Sequence, residues 1–377
     1  MAAPITTLSA GDDGAVWMTT PRLVLRRPTL ADLDDYVRLH NDPRTYAHAP
    51  GSMPDAERCR ERLADDVADW ARDELGYAAV LDRTSGAVLG WAGLRHKDSD
   101  RSSLNLYYRL AHDRLGAGLG RELSRALVGW AVEHRPDARV TAMVDLVNTA
   151  SRRTAESSGL VEVGRKRMQD EPDREPMASY EAPSVQVVTG DDLDAGDAGA
   201  AGDTGDAGET GLRAAAVDLW VRVNDAGGSV GFLPGASRAA VGAALEKHLG
   251  DVRDGRARLC VLREPGGRLL GLGFWDHALG FPYEHVAVLK RLMVDPAAQG
   301  RNLGRLLLGG MVGIARRDLP WVELLRLDYR DGLGLGEFYA RAGWTEVGRV
   351  PRGLRLTASD YRDDVAMARR VDGSPLS

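Results

Sequence analysis

Two cysteines, Cys59 and Cys260, are all that the 377 residues contain, and they lie far apart in the chain. That pair excludes a disulfide framework or a cysteine-based zinc site built from one chain, and it fits a reducing compartment. No metal site is expected. Nowhere do about 18 apolar residues run together, the length a membrane-crossing helix needs. Residues 1–20 also lack a basic start followed by an apolar stretch, so secretion has no support and a cytoplasmic protein is expected. Lysine occurs only at 97, 166, 247 and 290 while Arg, Ala, Gly and Asp abound. This bias is that of a GC-rich genome and hints at an actinobacterial source. A net charge of −6 leaves no general excess of cations to displace phosphate counterions, which disfavours a nucleic-acid partner.

What is present is enough apolar sequence, 44% of the chain, to bury real cores. At about 100–200 residues per domain, the length favours two domains. The run DDLDAGDAGAAGDTGDAGET, within residues 181–212, has no apolar face and reads as a self-repelling linker. Residues 1–20 read as a tail, 21–180 as a first domain and 213–371 as a second. Val185–Val188 has the pattern of a strand that opens the second domain early.

An internal repeat supports the division. Leu119-Gly120-Arg121 recurs as Leu303-Gly304-Arg305, Glu162-Val163-Gly164-Arg165 as Glu346-Val347-Gly348-Arg349, and Gly159 as Gly343, all at an offset of 184. Each half also runs through one order of elements. In the first, strands are predicted at Arg22–Arg26, Tyr77–Asp82, Val88–Leu94, Leu104–Leu110 and Val140–Val144, with a last one near Val161. Helices are predicted over Leu30–Asn41, Leu119–His134 and from Ala150. The second half repeats this with strands at 257–262, 269–275, 286–294, 322–327 and 345–350 and helices at 303–316 and 334–342. The expected class is α/β (α+β), two tandem domains each with a mixed central sheet flanked by helices.

The chemistry concentrates in two strand-to-helix turns. Leu292-Met293-Val294 ends a strand, Gln299-Gly300-Arg301-Asn302 turns, and Leu303-Gly304-Arg305 starts a helix. Such a turn offers unpaired N–H groups and the positive end of a helix dipole to an anion. This segment resembles the acetyl-CoA motif of the GNAT acetyltransferases, Gln/Arg-x-x-Gly-x-Gly/Ala, with Gln299, Asn302 and Gly304 in the three places. Asn302 replaces the usual glycine, a residue that tolerates left-handed backbone better than most. In the first half Gly116, Gly118, Gly120 and Arg121 fit the same motif, with Leu115 in the Gln/Arg place. The resemblance implies acetyl-CoA as cosubstrate. Tyr339, four residues before Gly343-Trp344, is then in the place of the GNAT tyrosine that protonates the departing CoA thiolate. The first half has Ala155 there. Its Asn148-Thr149-Ala150-Ser151 is similar to the Asn-x-x-Ser of GNAT enzymes that acetylate ribosomal-protein N-termini, which implies that Ser151 or Asn148 donates to CoA. Read from the residues, the same four are a helix N-cap.

A GNAT base on the central strand would fall on Asn105 and Val288, neither of which accepts a proton at neutral pH. Glu284 and His285 are the substitutes favoured, ahead of Asp276 and His277. The resemblance implies that the N–H groups of Met293 and Val294 polarise the thioester carbonyl. The segments 224–234 and Leu327-Asp328-Tyr329-Arg330 resemble tabtoxin-resistance acetyltransferases over roughly 214–371, making Asp225 and Asp328 candidates for holding an amine. The reading is N-acetylation of a primary amine on a small molecule: an antibiotic, an amino-acid-like compound or a biosynthetic intermediate. Three alternatives stay open: a silent half, for which the first is the candidate; a non-catalytic acyl-CoA or antibiotic binder; and a protein N-terminal acetyltransferase. A homodimer is left open.

Overall fold

Strands covered on both faces lose the apolar–polar alternation, and two segments here do so: Tyr77–Asp82 is buried over its first four residues and Val88–His96 from Leu89 to Leu94. In the computed structural model the described residues are 14–47, 49–167, 175–193 and 209–376. The chain divides into two compact units, Met1–Ala182 and Pro183–Ser377.

In the first unit the strands are β1 (Val16–Thr19), β2 (Leu23–Arg26), β3 (Tyr77–Asp82), β4 (Val88–His96), β5 (Ser103–Leu110), β6 (Arg139–Val144), β7 (Val161–Lys166) and β8 (Met177–Glu181). They form one sheet in the order β1-β2-β3-β4-β5-β6-β8-β7. Helices α1 (Leu33–His40), α2 (Ala56–Asp73), α3 (Leu119–His134) and α4 (Thr149–Ser157) complete the unit. Only β5 and β6 run parallel, and α3 is the crossover that a parallel pair requires.

The second unit contains β9 (Ser184–Val188), β10 (Ala257–Arg263), β11 (Leu269–Asp276), β12 (Val286–Val294), β13 (Leu324–Arg330), β14 (Thr345–Arg355) and β15 (Tyr361–Arg370). Its helices are α5 (Glu209–Asp225), α6 (Arg238–Arg253), α7 (Leu303–Asp318) and α8 (Leu335–Arg341). Its sheet order, β9-β10-β11-β12-β13-β15-β14, repeats that of the first unit from β2 onward, with β12 and β13 as the parallel pair. Each unit is therefore a mixed sheet flanked by helices.

In both units the parallel pair is joined over only three residue pairs. Ser103–Asn105 faces Arg139–Thr141, and Val286–Val288 faces Leu324–Arg326. Beyond those residues the two strands no longer pair with each other, so a wedge opens toward the N-terminus of the crossover helix.

Several boundaries differ from expectation. Val16–Thr19 pairs with β2 and is not tail. Ser184–Val188 pairs with β10, so the second unit opens with the early strand read at Val185–Val188, ahead of 213. The run 194–208 of the expected linker lies outside the described residues. Six elements had no sequence prediction: β1, α2, β8, α5, α6 and β15. The α2 segment is densely charged and its buried apolar stripe is sparse, Cys59, Leu63 and Trp70. Tertiary burial, with Leu63 alone contributing roughly 1.5–3 kcal/mol, decides such a helix more than its own pattern does.

The stripes of α2 and α6 match step for step. Cys59, Leu63, Asp66 and Trp70 in the first unit correspond to Val241, Leu245, His248 and Val252 in the second. In each unit the third place holds an ionisable side chain.

Candidate functional site

The two strand-to-helix turns share one backbone path. Gly116 and Gly118 have φ of +80° and +76°, and Gly300 and Asn302 have +80° and +67°. Asn302 thus takes the left-handed N-cap position that glycine takes in the first unit. Helical bonding begins with Glu122 N–H donating to Gly118 O in one turn, and with Arg305 and Leu306 donating to Asn302 O in the other. The N–H groups of Leu119, Gly120 and Arg121, and of Leu303 and Gly304, precede those bonds and face the mouth of the wedge with the dipole behind them. In the first unit Glu122 is tied to Thr20 Oγ1 (2.5 Å) and Arg22 Nε (2.7 Å), and Arg22 also donates to Ala117 O (2.8 Å). These bonds fix the turn without using its N–H groups. The residues present fit a pyrophosphate-bearing cosubstrate in both units.

A cavity of about 630 Å³ opens from the first wedge. Leu106, Tyr108, Ala142 and Val144 line it from the diverging strands, and Asn148, Ser151 and Ala155 from α4. Tyr36, His40, Asp66, Tyr77, Arg95, Tyr107 and Arg109 line its other side. His40 is held neutral: burial pushes its pKa down to about 3. Its Nδ1 donates to Tyr36 O (3.0 Å), which leaves Nε2 to accept from the Tyr107 hydroxyl (3.0 Å).

Asp66 is the ionisable group that stands out. It is 2% exposed, and its Oδ2 has no hydrogen-bond partner. Burial pushes its carboxyl up to about 7; Arg95 pulls the other way and Asp69 adds to the rise. A carboxylate poised near neutrality on a cavity wall is suited to taking a proton at physiological pH.

On the wedge side, the Tyr108 hydroxyl is buried without a partner in good geometry, beside Ser151 and Thr154. Burial raises its pKa and those hydroxyls oppose the rise. Its ring stands 3.4 Å from where a Cβ on Gly120 would be. Tyr108 therefore brings a phenol from β5 to the cavity that Ala155 of α4 also lines.

The second unit is built differently at this point. Gly273 of β11 faces two residues of β12, Arg291 and Leu292, in a β-bulge, and Arg291 has φ +56°. A smaller cavity, about 320 Å³, is lined by Ser229, His248, Asp276, Lys290, Arg291 and Asp328 among others.

The residues singled out in the sequence are distributed as follows. Ser151 and Asn148 reach the first cavity, with Asn148 Oδ1 accepting from Ser151 N–H (3.0 Å) as the N-cap of α4. Arg121 turns away, its Nε donating to Ser157 Oγ (3.2 Å). Met293 and Val294 pair with Leu272 and Gly271. Gln299 is exposed, Arg301 half-buried, and Gly304 faces the Phe338 ring. Tyr339 is buried between Phe338 and Trp344, with its pKa raised by burial. Glu284 and His285 correct an expectation. Both are exposed and precede β12, and the His285 carbonyl accepts from Glu323 and Leu324 at the closed end of the wedge. Neither lines the second cavity. Asp225 pins a loop by accepting from Gly235 N–H (2.9 Å), whereas Asp328 does line the cavity.

Sequence reasoning missed Asp66, Tyr108, His248 and Arg291. The signal for Asp66 was an aspartate in register with Cys59, Leu63 and Trp70, and it needed α2 to be recognised first.

Residues 22–161 match the family model described as an acetyltransferase (GNAT) domain. The uncharacterised protein YkkB of Bacillus subtilis is 28% identical over 128 residues, which is 32% of this chain and 71% of that protein. An acetyltransferase structure from Agrobacterium tumefaciens is 21% identical, covering 47% of this chain and 98% of that one with a TM-score of 0.38. RimL, a ribosomal L7/L12 α-N-protein acetyltransferase in complex with coenzyme A, is 15% identical, covering 44% and 97% with a TM-score of 0.38.

Proposed function

We propose that this chain, whose first unit carries an acetyltransferase (GNAT) domain, is an acetyl-CoA-dependent N-acetyltransferase for a primary amine on a small molecule, with transfer in the first unit. The observation that carries this reading is Asp66, a buried carboxyl titrating at about 7 on the wall of the cavity that opens from the wedge. The cavity volume of about 630 Å³ falls in the ordinary small-molecule range.

The chemistry follows from the residues. An ammonium group entering the cavity gives a proton to the Asp66 carboxylate, which frees the nitrogen lone pair. The lone pair attacks the thioester carbonyl, forming the C–N bond and a tetrahedral oxyanion. As the C–S bond breaks, the CoA sulfur takes a proton from Tyr108, with Ser151 beside it, and the second proton of the attacking nitrogen passes to the Tyr108 oxygen, which restores the phenol and leaves a neutral amide. Asp66 then releases its proton to solvent, so the products are the amide, CoA and one proton. In the second unit the place of Asp66 belongs to His248, whose Nε2 accepts from Arg291 Nε (3.3 Å). That lone pair is already engaged, so we read the second unit as a second GNAT domain that binds ligand, and the first as the one that turns over.

The test is release of CoA thiol by the full chain from acetyl-CoA with a broad panel of primary amines. Amine-dependent release that disappears in Asp66→Asn supports the reading. No release with any amine, from protein shown to bind acetyl-CoA, would overturn it.

A further inference from the structure

Arg291 is a half-buried cation without an acidic partner among the described residues. Burial alone lowers its pKa, with no carboxylate to offset the cost. The fold nonetheless holds this side chain in place with several features at once. A β-bulge with positive φ presents it. The Trp220 ring lies beneath the guanidinium, 5.5 Å from centroid to Cζ. His248 Nε2 accepts a hydrogen bond from Arg291 Nε at 3.3 Å. Gly231, at φ +103°, leaves it room, since a Cβ there would be 2.3 Å from Arg291 Nη1. With Nε engaged, the two terminal nitrogens are left for the cavity that Arg291 lines.

That fork matches a carboxylate, which it can bind through two parallel hydrogen bonds. The rest of the lining narrows the ligand. Lys290 adds a second cation, while Asp251, Asp276 and Asp328 bring carboxylates to the same cavity of about 320 Å³, Asp251 being already paired with Arg256. A phosphate dianion would meet the three aspartates unfavourably, whereas a small zwitterion offers a carboxylate to the cations and an amine to the aspartates. We propose that the second unit's cavity binds a small amino-acid-like molecule, with its carboxylate on Arg291 and its amine toward Asp276 and Asp328. The proposal concerns binding, so it stands apart from whether either unit transfers an acetyl group.

Isothermal titration of the full chain with norvaline, butyrate and butyramide tests it. Norvaline should bind most tightly, butyrate more weakly, and butyramide, the same size without the charge, at least tenfold more weakly than butyrate. Arg291→Gln should lower norvaline affinity at least tenfold. Butyramide binding as well as butyrate, unchanged norvaline binding in Arg291→Gln, or no heat from either carboxylate at millimolar concentration would overturn the proposal. If Arg291→Gln does not fold, as judged by circular dichroism, the wild-type comparison of butyrate with butyramide still decides. Thiol release measured on the same preparation separates the two readings, because transfer with no carboxylate binding sinks only this one.

Discussion

Replacing Asp66 by Asn should abolish transfer and yet make the protein more stable at alkaline pH. Burial pushes the carboxyl up to about 7 in the folded chain from its ordinary 3.8. The folded state therefore holds the proton more tightly than the unfolded state, and stability falls as pH rises through that window. At about 1.4 kcal/mol per pH unit, the two units from pH 5 to pH 7 amount to roughly 3 kcal/mol of lost stability, complete by pH 8. Asparagine keeps the shape and never ionises, so denaturant unfolding should show the variant gaining on wild type by roughly 3 kcal/mol between pH 5 and pH 8. The opposing pull of the Arg95 charge is already contained in that value of about 7. In the transfer assay, kcat/KM of the wild type should rise with pH through an apparent pKa near 7, as for a base that must be ionised. The variant should lose about 10²–10⁴-fold. A variant that retains activity within threefold, or whose stability difference from wild type does not change with pH, would refute the reasoning.

Three other outcomes follow from named contacts. Tyr108→Phe keeps the ring against Gly120 and removes the hydroxyl, so kcat should fall about tenfold to a hundredfold or more with the acetyl-CoA dissociation constant unchanged; an unaltered kcat would transfer the thiolate role to Ser151. Gly118→Val puts a branched side chain at φ +76°, costing about 1–2 kcal/mol or more and removing acetyl-CoA binding from the first unit, while Asn302→Gly should leave the second unit's affinity intact; titration of acetyl-CoA counts the sites. Gly231→Ala should destabilise the chain by about 1–3 kcal/mol in thermal unfolding and displace the Arg291 guanidinium, with norvaline binding weakened alongside.

Much of the fold was legible because its signals are local. Tyr77–Asp82 and Leu119–His134 have the bounds that their apolar spacing predicts. Asn302 reads as a left-handed residue from its chemistry and takes φ +67°. The repeat at an offset of 184 places two like turns in one chain, and two units with one sheet order are what the structure contains. Where the signal was faint, elements were missed. The charge-dense α2 hides a stripe of Cys59, Leu63 and Trp70 that packing makes a buried face.

The sequence by itself determined the turns, the crossover helices and the residue types that an anion-binding mouth requires, since each depends on neighbours within a few positions. Only the tertiary structure decided which ionisable groups are buried on a cavity wall. Glu284 and His285 sit next to the central strand in sequence but face solvent, because β12 is still paired with β13 at that end. Asp66 and Tyr108 are 42 residues apart and line one cavity, the first from α2 and the second from β5. Burial is a property of that packing, and burial is what moves a carboxyl from the ordinary acidic range to about 7.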